Sequence, residues 1–409
     1  MTGPKPSGEV QDFYERYPYP PPVDDLGAYR LRWQDRGRRR ADFHLFWPER
    51  PYTEDQTILV AGCGTSQAAK HALRCPAARV VGIDFSATSV RHTESLRRKY
   101  DLTNLEVHQL AIERVGELST TYDHIVCTGV LHHLAAPDGG LRALRDVLKP
   151  DGTMHLMVYA PYGRVGIYML QEFCRRIGIH PSDGEIRDLI VALGALPERH
   201  ALARLLHEVP DFRKEAALAD ALLHPQDRAY SVPQLMEFVS NGGLGFSRWF
   251  RQAPYSPHCG LMAHLPQASR IAALDPEEQY AVAELFRGTM ASHSVIVHRD
   301  DRPGGPQPVV FSGHAWLGYV PVRLPDTLCI TERLPPGAAA VLINQAHTYT
   351  DIYLPINTQE KRWLDAIDGE RSVGAIVDGE GRDLSRAFFE RLWWHDQVVF
   401  DASRARPMS

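Results

Sequence analysis

Ile58-Leu59-Val60-Ala61-Gly62-Cys63-Gly64-Thr65-Ser66 decides how the rest of this chain is read. A short apolar run breaks into a small, glycine-bearing turn, and a helix-like segment, Gln67 to Leu73, follows. Strand, tight turn and helix N-terminus are how an open α/β sheet brings its backbone against a nucleotide-like ligand. A second apolar run, Val80-Val81-Gly82-Ile83, ends in Asp84. A carboxylate at the tip of that strand suits a ribose diol, whose two hydroxyls both donate to it.

Outward from this pair, strands are expected at Ile58–Ala61, Arg79–Ile83, Leu105–Gln109, His124–Thr128 and Met154–Tyr159. Helices fall between them, including Ala87–Tyr100 and Gly140–Leu148, the latter closed by Lys149-Pro150-Asp151-Gly152. Strand–helix alternation predicts an α/β fold with a parallel, doubly wound sheet. Segments 1–50 and 51–163 read as a Tyr/Pro-rich arm and the sheet core, and 164–229 as a helical cap insertion. Segment 230–267 reads as the last strands of the core, 268–357 as a β-rich accessory region and 358–409 as a small closing unit.

In the arm, Tyr17-Pro18-Tyr19-Pro20-Pro21-Pro22 cannot be helix interior, because each proline ring removes an N–H donor. It either packs on the domain surface or acts as a lid over the ligand cleft. The insertion should hold helices Tyr168–Arg176, Gly184–Leu193, Arg199–Val209 and Arg213–Leu222. Phe246–Gln252 and Gly260–Leu265 read as strands rejoining the sheet. The accessory region should contribute strands Ser294–Arg299, Val309–Phe311, Thr327–Thr331 and Ala339–Ile343.

At 409 residues the chain has room for two or three domains, and 44% hydrophobic with 23% charged residues is ordinary for a globular protein. A net charge of −5 gives no footprint for nucleic acid. The run Arg36-Gly37-Arg38-Arg39-Arg40 reads as a solvated face beside Asp35 and Asp42. Six scattered cysteines have no metal-ligand spacing, so neither a structural zinc nor a disulfide framework is expected. No apolar stretch reaches the ~20 residues of a membrane span, and a cytoplasmic enzyme is the expectation.

A dinucleotide fingerprint asks for a third glycine, but Gln67 stands there. The turn therefore suits a ligand with one ribose and no phosphates. With Val81-Gly82-Ile83-Asp84-Phe85-Ser86, Asp123 to Leu134 and Leu148-Lys149-Pro150-Asp151-Gly152-Thr153, the chain resembles class I S-adenosylmethionine-dependent methyltransferases over roughly residues 55–160, with 230–267 as a further part. The resemblance implies a Rossmann-like core and S-adenosylmethionine as cofactor. Gly62, Cys63 and Gly64 would let the backbone approach its methionine part. Asp84 would hold the ribose, with Phe85, Ala111 and Ile112 beside the adenine. Thr128, Gly129 and Val130 would pass under the sulfonium.

Two departures stand out. The acid usual before the first glycine is replaced by Val60-Ala61, and the acid usual after the third strand by Leu110-Ala111-Ile112, with Glu113 nearest. His132 and His133, at the end of a strand, are candidate bases; one of them packing beside the cofactor is the other reading. Tyr159 and Tyr162 would line the acceptor pocket and attract a cationic amine. Arg164, Asp227, Arg228 and Tyr230 are further substrate candidates, a structural ion pair being the alternative for Asp227 and Arg228. The stretch from Trp363 to Val373 resembles the winged-helix unit of bacterial protein-lysine methyltransferases, which would serve peptide binding, dimerisation or cover. Three functions stay open: methylation of an N or O nucleophile on a protein or peptide side chain, methylation of a small metabolite under the cap, or non-catalytic cofactor binding.

Overall fold

Seven strands make the central sheet of the computed structural model, which describes residues 8–203, 214–302, 309–379 and 381–405. They are β1 (Thr57–Ala61), β2 (Arg79–Asp84), β3 (Leu105–Gln109), β4 (Tyr122–Thr128), β5 (Leu148–Tyr159), β6 (Leu244–Trp249) and β7 (Ser292–Arg299), in the order β3-β2-β1-β4-β5-β7-β6. β1 runs parallel to both neighbours, with Leu59 opposite Val81 on one side and Ile125 on the other. β5 is parallel to β4, whereas β7 is antiparallel to β5, pairing Leu156 with Val295. Strands covered on both faces must be apolar at successive positions, which is why Ile58 to Ala61 reads as an unbroken run. From β1 the chain turns first toward β2 and later crosses to β4, so the strand order reverses between β1 and β4. An open sheet receives its ligand at that crevice, outside the carboxyl ends of the strands.

The helix after the glycine turn, Gln67–Arg74, meets the sheet at Gly82. A Cβ there would lie 2.7 Å from the Ala68 Cβ. The close helix–strand approach that a third turn glycine provides elsewhere is thus supplied here from the neighbouring strand. The Lys149–Gly152 turn does not precede β5. It lies inside the strand, where the register slips from Tyr122–Leu148 to His124–Thr153.

The chain divides into two compact units. The first comprises Met1–Arg30, Asp55–Phe246 and Arg287–Asp301; the second comprises Leu31–Glu54, Ser247–Phe286 and Arg302–Ser409. These divisions fall elsewhere than the segment boundaries drawn from the sequence. In the first unit the helices Val165–Ile177, Asp183–Gly194 and Glu215–Leu223 bury Leu170, Leu189 and Leu218 together with Phe13 and Tyr17 of the arm. The expected helix Arg199–Val209 and the start of Arg213–Leu222 lie mostly outside the described residues.

Three expected strands are corrected. Ser294–Arg299 belongs to the central sheet as β7, where its alternating residues find the open side of β5. Gly260–Leu265 is a 3-10 turn, Gly260–His264: Gly260 takes φ +63° and the Leu261 N–H donates to Asp351 Oδ2 at 2.9 Å, so the backbone is not extended. Val309–Phe311 is irregular, with both end residues buried in the second unit's core.

The second unit holds β8 (Val320–Arg323), β9 (Thr327–Ile330), β10 (Ala340–Asn344), β11 (Leu354–Ile356) and β12 (Val398–Asp401). β10 pairs antiparallel with β9 and β11, and β12 with β8. Helices Thr358–Asp365, Val373–Val377 and Arg382–Trp394 enclose Trp316, Phe388, Phe389 and Phe400. The arginine run is not a free solvated face, because Arg38, Arg39 and Arg40 pair with Asp326, Glu54 and Asp401. Among the described residues no helix is long and apolar enough to cross a membrane.

Gly82→Ala is expected to destabilise the first unit by about 1–3 kcal/mol through overpacking against Ala68. A urea titration checks it; an unchanged midpoint would show that the helix moves away freely.

Candidate active site

β1 ends in a turn whose geometry needs glycine. Gly62 and Gly64 take φ of +69° and +53°, and the N–H groups of Gly62 and Cys63 both donate to the Ile83 carbonyl at 2.9 Å. A Cβ on Gly62 would run into the Val130 side chain. The Asp84 carboxylate fixes the same turn from the tip of β2, accepting from Gly64 N at 2.8 Å and Ser86 N at 2.9 Å. Each oxygen spends one lone pair on the backbone and keeps another for a ligand. Burial nevertheless pushes the Asp84 carboxyl up to about 6, against the pull of those two amides.

The turn opens on a cavity of about 630 Å³. Gly62, Gly64, Asp84 and Phe85 form one wall, Leu110 to Glu113 the next, and Thr128, Gly129 and Val130 the floor. Val10, Tyr14, Tyr19 and Pro20 of the arm form the roof. The arm is held at several points. Glu15 accepts from Ala87 N and, at 3.1 Å, from Thr88 N, at the positive end of the helix Ala87–Lys99. Thr65 Oγ1 donates to the Pro20 carbonyl at 2.9 Å, and Tyr17 and Arg16 both donate to Asp183 at 3.0 Å. The arm therefore packs on the domain and roofs the cavity at once.

The far end of the cavity is polar and buried. Tyr14 donates to Asp220 Oδ1 at 2.9 Å and Tyr159 to Oδ2 at 3.4 Å. The Gln226 backbone bridges two histidines: its carbonyl lies 2.7 Å from His133 Nδ1, and its N–H donates to His224 Nδ1 at 3.0 Å. The two rings lie 4.0 Å apart, and His132 sits 4.0 Å from Tyr159 and 4.2 Å from His133. One layer behind, Arg164 lies 3.5 Å over the Tyr159 ring and pairs with Asp227 at 3.2 Å. Gln171 donates to the same Asp227 oxygen at 2.9 Å.

Burial dominates the electrostatics of this end. It raises the Asp220 carboxyl and the Tyr14 and Tyr159 phenols, and pushes the His224 imidazole down to about 3. His132 and His133 are lowered for the same reason, with Asp227 partly opposing this at His133. All three rings are therefore neutral near pH 7, and neutral imidazole is the form that accepts a proton. Both nitrogens of His132, His224 Nε2, Gln226 Oε1 and Asp227 Oδ1 are buried with no hydrogen-bond partner among the described residues.

Residues 59–154 match the family model described as a methyltransferase domain. The catalytic domain is a class I S-adenosylmethionine-dependent methyltransferase. Its cofactor is S-adenosylmethionine. The chain is similar to an uncharacterized protein, syc1184_c, of Synechococcus sp. at 29% identity over 309 residues, 72% of each chain. It is similar to the tRNA U34 carboxymethyltransferase of Desulfotalea psychrophila at 30% identity over 134 residues, 33% of this chain and 39% of that one. PKMT2 from Rickettsia typhi, solved in complex with AdoHcy, shares the fold at a TM-score of 0.61 and 16% identity, covering 89% of this chain and 73% of that one.

The methyltransferase's cavity fits this cofactor: its turn has no room for a Cβ at Gly62, and Asp84 keeps lone pairs for a diol. Of the residues read as cofactor contacts, Gly62, Gly64, Asp84, Phe85, Ala111, Ile112, Thr128, Gly129 and Val130 line the cavity. Cys63 does not, and its Sγ lies instead 3.3 Å from where a Cβ on Gly82 would stand. At the Val60-Ala61 end of the turn, Gln67 and Thr128, 3.5 Å apart, are polar side chains that line the cavity.

His133 and Tyr159 reach the cavity, while His132 packs behind them. Tyr162 points away at 40% exposure, and Arg164 already covers the Tyr159 ring, so the expected aromatic cradle for an amine does not form. Asp227 pairs with Arg164 rather than with Arg228, and Tyr230 stacks on Phe238, so none of the five substrate candidates forms the cavity wall. Sequence reasoning missed Tyr14, Asp220, His224 and Gln226. Asp220 alone left a signal, as the single acid inside Ala216-Ala217-Leu218-Ala219-Asp220-Ala221-Leu222-Leu223. Ligand atoms of His133, Asp220 and His224 lie within 4.8 Å of one another, close enough to consider a metal. The hydrogen bond at His224 Nδ1 speaks against one, because it leaves Nε2 carrying a proton rather than a lone pair.

Asp84→Asn should weaken S-adenosylhomocysteine binding about 10- to 100-fold, through loss of charged hydrogen bonds to the diol. In the unmodified protein, affinity should fall as pH drops through about 6, where the carboxylate takes up a proton. Calorimetry at several pH values checks both; an affinity flat between pH 7 and 5 would remove Asp84 from the ribose site.

Proposed function

We propose that this methyltransferase transfers its methyl group to a nitrogen or oxygen nucleophile of a small acceptor enclosed by the arm and the helical insertion. The observation that carries this reading is the closed end of the cavity, where Tyr14, Tyr159, His133, Asp220 and Gln226 meet. Tyr14 comes from the arm, and Asp220 and Gln226 from the insertion and the loop after it. A broad macromolecular surface cannot enter such a space without displacing that roof.

The cofactor supplies an electrophilic methyl group, so the protein has to position the acceptor, exclude water and take one proton where the nucleophile arrives protonated. His133 is placed for the last task. Its Nδ1–H is engaged by Gln226 O, which leaves Nε2 with the ring's free lone pair, and His133 is one of the residues that line the cavity. Tyr14 and Tyr159 hold Asp220 in place, and Arg164 stiffens Tyr159 from behind. The PKMT2 likeness and the winged-helix resemblance of the closing segment lend support to the alternative, a slender protein side chain as acceptor.

With methyl-labelled S-adenosylmethionine and cell extract, label should appear in the fraction that passes a small-pore filter. Label confined to protein would replace the small acceptor with a side chain. His133→Ala should lower transfer by about 10²–10⁴-fold while leaving S-adenosylhomocysteine affinity unchanged. An unchanged rate would remove His133 as the base.

A further inference from the structure

Charge is distributed unevenly around this cavity. Among the described residues its walls hold three carboxylates, Asp84, Glu113 and Asp220, and neither a lysine nor an arginine. Asp84 stands at the ribose position on two backbone N–H groups, and Glu113 lies on the wall with Ala111 and Ile112. Asp220 belongs to the other end. It is 3% exposed, with Tyr14 donating to Oδ1 at 2.9 Å and Tyr159 to Oδ2 at 3.4 Å. Two phenolic donors suit the ionised form, because a protonated acid would have to donate through one of those oxygens. Each oxygen still keeps a second acceptor position. The cation behind this end, Arg164, is committed to Asp227 at 3.2 Å, both side chains being buried. Asp220 makes no ion pair among the described residues, and burial raises its carboxyl.

We infer that Asp220 is the counterion of the methyl acceptor, which is a small amine bound as its ammonium. The inference rests on the small-acceptor reading above and narrows it to primary and secondary amines. An ammonium brings the positive charge that the walls lack, and its N–H groups donate to the carboxylate. A phosphate or carboxylate acceptor would set like charge beside Asp220. A neutral alcohol would leave a buried carboxylate without a counterion, which low-dielectric surroundings make costly. The cation is thus met by charge rather than by ring faces, since Arg164 covers the Tyr159 ring.

An ammonium has no lone pair, so one proton must leave before the nitrogen attacks. The positive charge of the adjacent sulfonium favours that loss. His133, which lines the cavity with its Nδ1–H held by the Gln226 carbonyl, takes the proton on the free lone pair of Nε2. The nitrogen then bonds to the methyl carbon as the carbon–sulfur bond breaks, its electron pair staying on sulfur. The products are an N-methylammonium, S-adenosylhomocysteine and an imidazolium, so two positive charges enter and two remain. Positive charge rests on the acceptor nitrogen before and after transfer, and one carboxylate serves both states.

The full-length protein is incubated with S-adenosylmethionine carrying a ¹³C-methyl group and filtered cell extract, split beforehand at pH 7 on a cation-exchange resin. NMR of the low-mass products should show label in N-methyl resonances with the retained fraction. Label formed only with the flow-through, or in O-methyl resonances, overturns the amine inference but leaves a small acceptor standing. Label confined to protein when unfiltered extract is supplied overturns the small-acceptor reading itself. Label nowhere, with S-adenosylhomocysteine still bound, overturns both. Asp220→Asn should raise KM for the retained acceptor about 10- to 100-fold, the worth of a charged hydrogen bond, at unchanged S-adenosylhomocysteine affinity. Tyr14→Phe, which keeps the charge and loses one hydroxyl, should raise it only about 3-fold. An unchanged KM in Asp220→Asn, or equal losses in both variants, would show that the charge does not bind the acceptor. A fall in S-adenosylmethionine affinity alone would overturn the inference by assigning the carboxylate to the sulfonium.

Discussion

Everything at the carboxyl edge of this sheet depends on one buried carboxylate taking two backbone N–H groups. Asp84 accepts from Gly64, in the turn after β1, and from Ser86, at the head of the helix after β2. It thereby locks two neighbouring strand ends into one rigid rim. The glycine turn keeps its left-handed conformations because Asp84 and the Ile83 carbonyl receive its N–H groups. The cost is desolvation of a charge, visible as a carboxyl raised to about 6. A diol that donates to the carboxylate offsets part of that cost.

The opposite end of the cavity follows the same logic with neutral groups. Burial keeps His132, His133 and His224 uncharged, and hydrogen bonds rather than charges then decide which nitrogen of His133 and of His224 carries the proton. Arg164 and Asp227 form a buried pair behind Tyr159, with Gln171 completing Asp227's shell. Such a pair contributes little net stability, but losing one member would strand a charge beside the acceptor site. Its effect is to hold Tyr159 in one orientation.

The parallel core was legible because its physics is local. Apolar runs ending in Gly62-Cys63-Gly64 and Asp84 specify strand, turn and helix within a few residues. The cofactor wall was legible for the same reason, since it hangs on those strand ends. The acceptor end was not, because it is assembled from Tyr14, His133, Tyr159, Asp220 and Gln226, spread over more than half the chain with no motif joining them. Tyr162, Arg228 and Tyr230 lie near strand ends in the sequence, yet none of them lines the cavity. β7 was misplaced because an antiparallel strand that returns after a long excursion looks, in sequence, like part of whatever precedes it.

That excursion has a consequence for biosynthesis. β5 pairs along Thr153–Tyr159 with β7, which the ribosome delivers only after the whole Ser247–Phe286 stretch of the second unit. Until then, one side of β5 carries unpaired N–H and C=O groups along a largely apolar strand, the kind of edge that recruits foreign strands. The catalytic sheet cannot be finished on the nascent chain before about three quarters of it has been made. A shortened protein ending near residue 267, where the sequence suggests a seam, would keep every residue of the cavity wall and still expose that edge permanently. Its failure would be one of solubility, not of chemistry.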